Sequence, residues 1–140
     1  MKRTTKAFAG VAIATLTTLT LATPAFAEGS WSSSMSNVRV GFESRRWADK
    51  NSDAAGTIVS LRYCSGYSGP NAEGDGGKFT LNLIKDTLFD EARGNVTYVC
   101  QGSTWKQYNW GRQPAGNYFF RVTNINYGGP ASAGGVKVNY

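Results

Sequence analysis

Histidine is absent from this sequence. Without an imidazole there is no Ser-His-Asp or Cys-His relay, and the commonest general base near neutral pH is missing, which removes most hydrolase mechanisms. Cysteine is scarce: two thiols with no histidine beside them do not complete the four-ligand shell of a zinc site. No cofactor motif is present, so no cofactor is expected. Carboxylate chemistry survives these absences, because a glycosidase needs only two suitably spaced acids. Asp86, Asp90 and Glu91 are the candidates for it. Their clustering beside a turn reads more simply as capping and solubilising charge, and no catalytic residue is assigned. Glu73 and Asp75 offer oxygens for calcium, but the regularly spaced acids of a dedicated calcium loop are lacking and no metal is assigned.

Long apolar runs are missing beyond the first 27 residues, so no later segment is suited to span a bilayer. At the start, Lys2, Arg3 and Lys6 precede an apolar, threonine-rich stretch that ends in Pro24-Ala25-Phe26-Ala27. This is the order of a secretory signal peptide, with small residues at the two positions that a signal peptidase reads. Threonines at 15, 17, 18 and 20 interrupt the apolar run and leave it short of a membrane anchor. Residues 1–27 are therefore expected to be cleaved and 28–140 to form a single domain, secreted and without a membrane attachment. Cleavage leaves 12 Lys and Arg against 9 Asp and Glu, interspersed along the chain. A net charge of +3 gives little ground for a nucleic-acid partner, and none is expected.

Cys64 and Cys100 both lie in the exported part, where an oxidising compartment favours a disulfide between them.

Apolar residues recur at every second position, and clusters of Gly, Asn, Asp, Ser and Pro punctuate the runs. Val38, Val40 and Phe42 form the first run, and Val59, Leu61 and Tyr63 the second. Phe79, Leu81 and Leu83 follow, then Val96, Tyr98 and Cys100, then a segment over 104–110. Tyr118, Phe120 and Val122 precede the last run, Val136, Val138 and Tyr140. About seven strands, each apolar on one side, predict an all-β fold: a two-layer antiparallel β-sandwich with one disulfide, or alternatively a small β-barrel. Residues 86–93 are expected to form a short helical turn, capped by Asp86 and burying Leu88 and Phe89. Residues 32–36 are expected to be a flexible lead-in, and 65–77 a glycine-rich loop.

The stretch Pro114-Ala115-Gly116-Asn117-Tyr118-Phe119-Phe120-Arg121-Val122, with Gly135-Val136-Lys137-Val138, resembles the terminal hairpin of small bacterial β-sandwich modules. The accessory domains of the pre-peptidase C-terminal type are one example. With its Thr- and Ala-rich leader, the chain is similar in style to small secreted proteins of actinobacteria. The resemblance covers the last quarter of the mature chain, and it implies a sandwich with an accessory or binding role.

Two segments point to partners. In Trp105-Lys106-Gln107-Tyr108-Asn109-Trp110, a strand places Tyr108 and Trp110 on one face and Trp105 on the other. Flat rings beside Gln107 and Asn109 suit a sugar, whose apolar face stacks on an aromatic while amides bond its hydroxyls. The bland reading of the same residues is strand packing in the core. Trp31, Trp47, Tyr67 and Tyr127 are expected at loops or strand ends, where they would extend a binding rim. Arg45-Arg46, in the loop after the first predicted strand, is a dibasic bait that a rigid protease inhibitor would present. Asn95-Val96-Thr97 fits a glycosylation sequon by chance, since Val96 belongs to a strand. The expectation is a non-enzymatic secreted protein that binds a glycan or another extracellular protein, with protease inhibition as the alternative and a small carboxylate glycosidase after it.

Overall fold

The computed structural model describes residues 28–66, 78–100 and 102–140. The expected signal peptide, most of the glycine-rich loop with Tyr67, Glu73 and Asp75, and the Tyr127 side chain lie outside the described residues.

Eight strands run through the described residues: β1 (Ser30–Val38), β2 (Trp47–Asp49), β3 (Ile58–Gly66), β4 (Lys78–Asp86), β5 (Glu91–Val99), β6 (Lys106–Asn109), β7 (Gly116–Ile125) and β8 (Ala131–Asn139). They form two antiparallel four-stranded sheets, β1-β8-β3-β6 and β2-β7-β4-β5. Each sheet keeps two edge strands, so the fold is a sandwich and the barrel alternative is excluded. A 3-10 turn over Asn126–Gly128 joins β7 to β8. No helix of the described residues is long and apolar enough to cross a membrane.

Alternation dictates the core. Val59 and Leu61 of β3 with Val136 and Val138 of β8 bury one sheet's inner face, and Phe79, Leu81, Leu83, Tyr118, Phe120 and Val122 bury the other's. Each such side chain contributes about 1.5–3 kcal/mol relative to exposure. Tyr98 of β5 is buried among them, and its hydroxyl donates to the Val59 carbonyl at 3.0 Å. Burial pushes that phenol far above its ordinary range, so the ring acts as a neutral strut between the sheets.

Cys64 of β3 is disulfide-bonded to Cys100, just past β5, with 5.1 Å between their Cα atoms. The bond links one sheet to the other, and it is compatible with an extracellular location.

Three local expectations are corrected. The first predicted run is displaced: β1 occupies Ser30–Val38, including the supposed flexible lead-in, and Val40 is exposed. Gly41, at φ 94°, turns the chain instead, and segment 41–44 crosses to β7, where the Gly41 amide donates to the Val122 carbonyl and the Ser44 amide to that of Phe120. Residues 86–93 form no helical turn. They are the β4–β5 hairpin, whose tip is closed by the Asp90 amide donating to Thr87, and Leu88 and Phe89 are 90% and 87% exposed. Trp47, finally, is a buried residue of β2 rather than part of a rim.

Candidate functional site

Pairing of β6 with β3 decides where the aromatic segment points. Gln107 lies opposite Ser60, and Tyr108 opposite Val59. Val59 faces the core, so alternation turns Ser60 and Gln107 to the outer face and Tyr108 to the seam between the sheets. There Tyr108 meets Trp110 edge to face, with centroids 4.9 Å apart. The Trp110 indole N–H donates to the Gly94 carbonyl of β5 at 3.3 Å, so this pair closes the seam between the two edge strands. Asn109 accepts the Gly111 amide at 2.7 Å and holds the corner that follows. The structure thus brings Tyr108 and Trp110 together, and sends Trp105 and Gln107 elsewhere.

Trp105 belongs to a different group on the outer face. The Arg62 guanidinium lies 4.3 Å from the Trp105 ring centroid and 5.2 Å from that of Tyr63. The three side chains form a ring–guanidinium–ring stack, in which cation–π attraction orders the long arginine. Gly134 and Gly135 of β8 make room for it. A Cβ at Gly135 would lie 2.8 Å from Arg62 Cγ and 2.9 Å from Trp105 Cη2, and one at Gly134 would lie 3.0 Å from Tyr63 Cβ. Tyr63 also pays in backbone strain: its φ of 51° is left-handed, a conformation that costs a bulky residue about 1–3 kcal/mol. The Tyr63 amide, donating to the Gly102 carbonyl at 2.8 Å, holds it there. The outcome is a surface on which Tyr63 is 50% and Trp105 36% exposed. Sequence reasoning found Trp105 and Gln107 but missed Arg62 and the glycine pair, and its expectation of Tyr63 as the third inward residue of the Val59 and Leu61 run is corrected: the left-handed backbone at Tyr63 breaks the alternation and turns the ring outward. The legible signal was Gly134-Gly135 inside a strand, which marks a close approach.

The dibasic segment divides as well. Arg46 contacts Asp86 at 2.5 Å and Glu43 at 3.3 Å, while Arg121 contacts Glu43 at 2.6 Å and Asp90 at 3.1 Å. Both guanidiniums also cover the outward Phe119 ring, at 4.4 and 5.4 Å. Hydrogen bonds from Arg121 hold the Glu43 carboxyl below its ordinary range, and those to Asp86 and Glu43 raise Arg46 and Arg121 respectively. Asp86 and Asp90 are partners in this network, and Glu91 sits 3.9 Å from Arg93. Arg45 instead lies 5.6 Å from the Trp31 ring, at a cavity of about 90 Å³ lined by Trp31, Met35, Phe42 and Phe120.

At the opposite edge, burial raises the Asp49 carboxyl, and the nearby Glu28 and Asp53 charges add to the effect. Among the described residues no group of three or more Asp, Glu, Cys or His side chains is arranged to hold a metal ion. Compared with known proteins, the chain matches no protein-family model and no curated protein.

Proposed function

We propose that this protein is an exported, non-enzymatic module that binds an extracellular glycan on the outer face of β3, β6 and β8. The observation that carries this reading is the stack of Tyr63, Arg62 and Trp105, two half-exposed rings fixed about a guanidinium over paired glycines. Flat, preordered aromatic surface suits the apolar face of a pyranose ring, and the guanidinium and the Gln107 amide supply directional partners for hydroxyls. Strain at Tyr63 favours the reading too, because left-handed backbone at a bulky residue persists where the exposed ring has a task. The leader-like residues 1–27 support export, and the disulfide is compatible with an oxidising compartment. An accessory role agrees with what the terminal hairpin resembles.

The test is retention on a panel of insoluble polysaccharides by wild type, Trp105→Ala, Tyr63→Gly and Tyr108→Ala. Trp105→Ala and Tyr63→Gly each weaken retention about tenfold or more, the effect of losing one stacking ring. Tyr63→Gly does so without lowering the melting temperature, because glycine adopts the same φ freely. Tyr108→Ala leaves retention intact. Unchanged retention in both platform variants rejects the site.

A further inference from the structure

We infer that this platform selects an anionic glycan, one whose sugars carry carboxylate or phosphodiester charge; the inference rests on the glycan-binding reading above. It comes from how charge is divided between the two sheets. None of the chain's nine Asp and Glu residues falls within β1, β3, β6 or β8, while the same strands carry Arg62, Lys106 and Lys137. The other sheet is built the opposite way. There the outer guanidiniums of Arg46 and Arg121 are neutralised by Glu43, Asp86 and Asp90.

Register places two of these cations on the platform face. Gly135 lies opposite Arg62, and Lys137 opposite Ser60, which in turn lies opposite Gln107. Arg62 and Lys137 therefore project from the same face on rows about 7 Å apart, two residues along the strand. Lys137 is exposed, and among the described residues neither cation has a carboxylate partner. The Arg62 Nε is moreover buried without a hydrogen-bond partner among the described residues. A polysaccharide stacked on Trp105 and Tyr63 brings its neighbouring sugar toward Lys137. A carboxylate or phosphodiester there meets a positive potential that no acid on these strands offsets.

The experiment measures binding of the intact mature protein, by affinity electrophoresis and calorimetry, to four probes. These are polygalacturonate, the same polymer fully methyl-esterified, a poly(glycosyl phosphate) whose sugars are joined by phosphodiesters, and single-stranded DNA. Binding to polygalacturonate or to the poly(glycosyl phosphate) is expected to exceed that to the ester by about tenfold at low salt, and the gap to narrow as salt rises. The preferred polymer identifies the source of the charge. Lys137→Gln weakens binding to that polymer about three- to fivefold and leaves the ester unaffected, as loss of one exposed ion pair does. Trp105→Ala weakens binding to all the polysaccharides. Equal affinity for acid and ester, or an unaffected Lys137→Gln, overturns the anionic preference while the glycan-binding reading stands. No binding to any polysaccharide ends both. Single-stranded DNA bound as tightly as the best polysaccharide also overturns the inference, because the face would then read charge and not sugar.

Discussion

Glu43 Oε1 accepts two N–H groups of Arg121, Nε at 3.0 Å and Nη2 at 2.6 Å, and so fastens the segment between β1 and β2 to the outside of β7. The pair is about one-third exposed on each side, which keeps its worth modest. Glu43→Gln should lower unfolding stability by about 0.5–1 kcal/mol in neutral solution. The sign with pH follows from the lowered carboxyl. Its stabilisation is complete above the ordinary value of 4.5 and is lost as pH falls through the lower folded value. Urea denaturation of both proteins from neutral to strongly acidic solution should show the gap closing at the acid end. Asp49, raised by burial, contributes with the opposite sign, but both proteins carry it and it cancels in the difference. A gap that persists when the carboxyls are protonated would mean that Glu43 acts through packing alone.

The Cys64–Cys100 bond closes a sequence separation of 36 residues and joins the two sheets. Chain-entropy arguments give about 3–4 kcal/mol for a loop of that size, a large share of a small domain's stability. Cys64→Ala with Cys100→Ala should shift the unfolding free energy by that amount and leave the far-ultraviolet dichroism β-type in the absence of denaturant. A shift of less than about 1 kcal/mol would show that the sheets are held by the core without the link.

At the β4–β5 hairpin tip, Leu88 and Phe89 touch little else. Leu88→Ser with Phe89→Ser should change stability by no more than about 0.5 kcal/mol, the range of surface substitutions. The helical turn expected from the sequence makes a different forecast, a loss of several kcal/mol from two truncated core residues. One thermal melt separates the two pictures.

Much of the architecture was legible because its determinants are local. Val59, Leu61, Phe79, Leu81, Leu83, Tyr118, Phe120, Val122, Val136 and Val138 fall at every second position of their strands, with polar residues between them everywhere but at Phe119, and every one is buried. What escaped was structure that leaves no period. Strand β1 shifts register between Ser33, Met35 and Val38, so its buried residues do not fall at every second position, and an edge strand needs only one neighbour. Strand β2 has three residues, too few for a pattern. Asp86 followed by Leu88 and Phe89 suits a capped turn as well as a hairpin end, and only the pairing of Lys85 with Glu91 decides. The aromatic segment was read correctly as two-faced. The grouping of Trp105 with a guanidinium on the outer face depends on Arg62 and Gly135, brought opposite one another across more than 70 residues of chain. No window of sequence contains that meeting.

The four indoles are distributed unevenly. Trp31 and Trp47 lie 5.9 Å apart at one edge of the interior, and Trp110 is pinned at the other seam. Trp105 alone stands beside Arg62 on the outer face proposed for a sugar. Three of the four indoles thus lie away from the platform, so total ultraviolet emission is a poor gauge of its occupancy. Replacing Trp31, Trp47 and Trp110 with phenylalanine would leave a single lamp at the site.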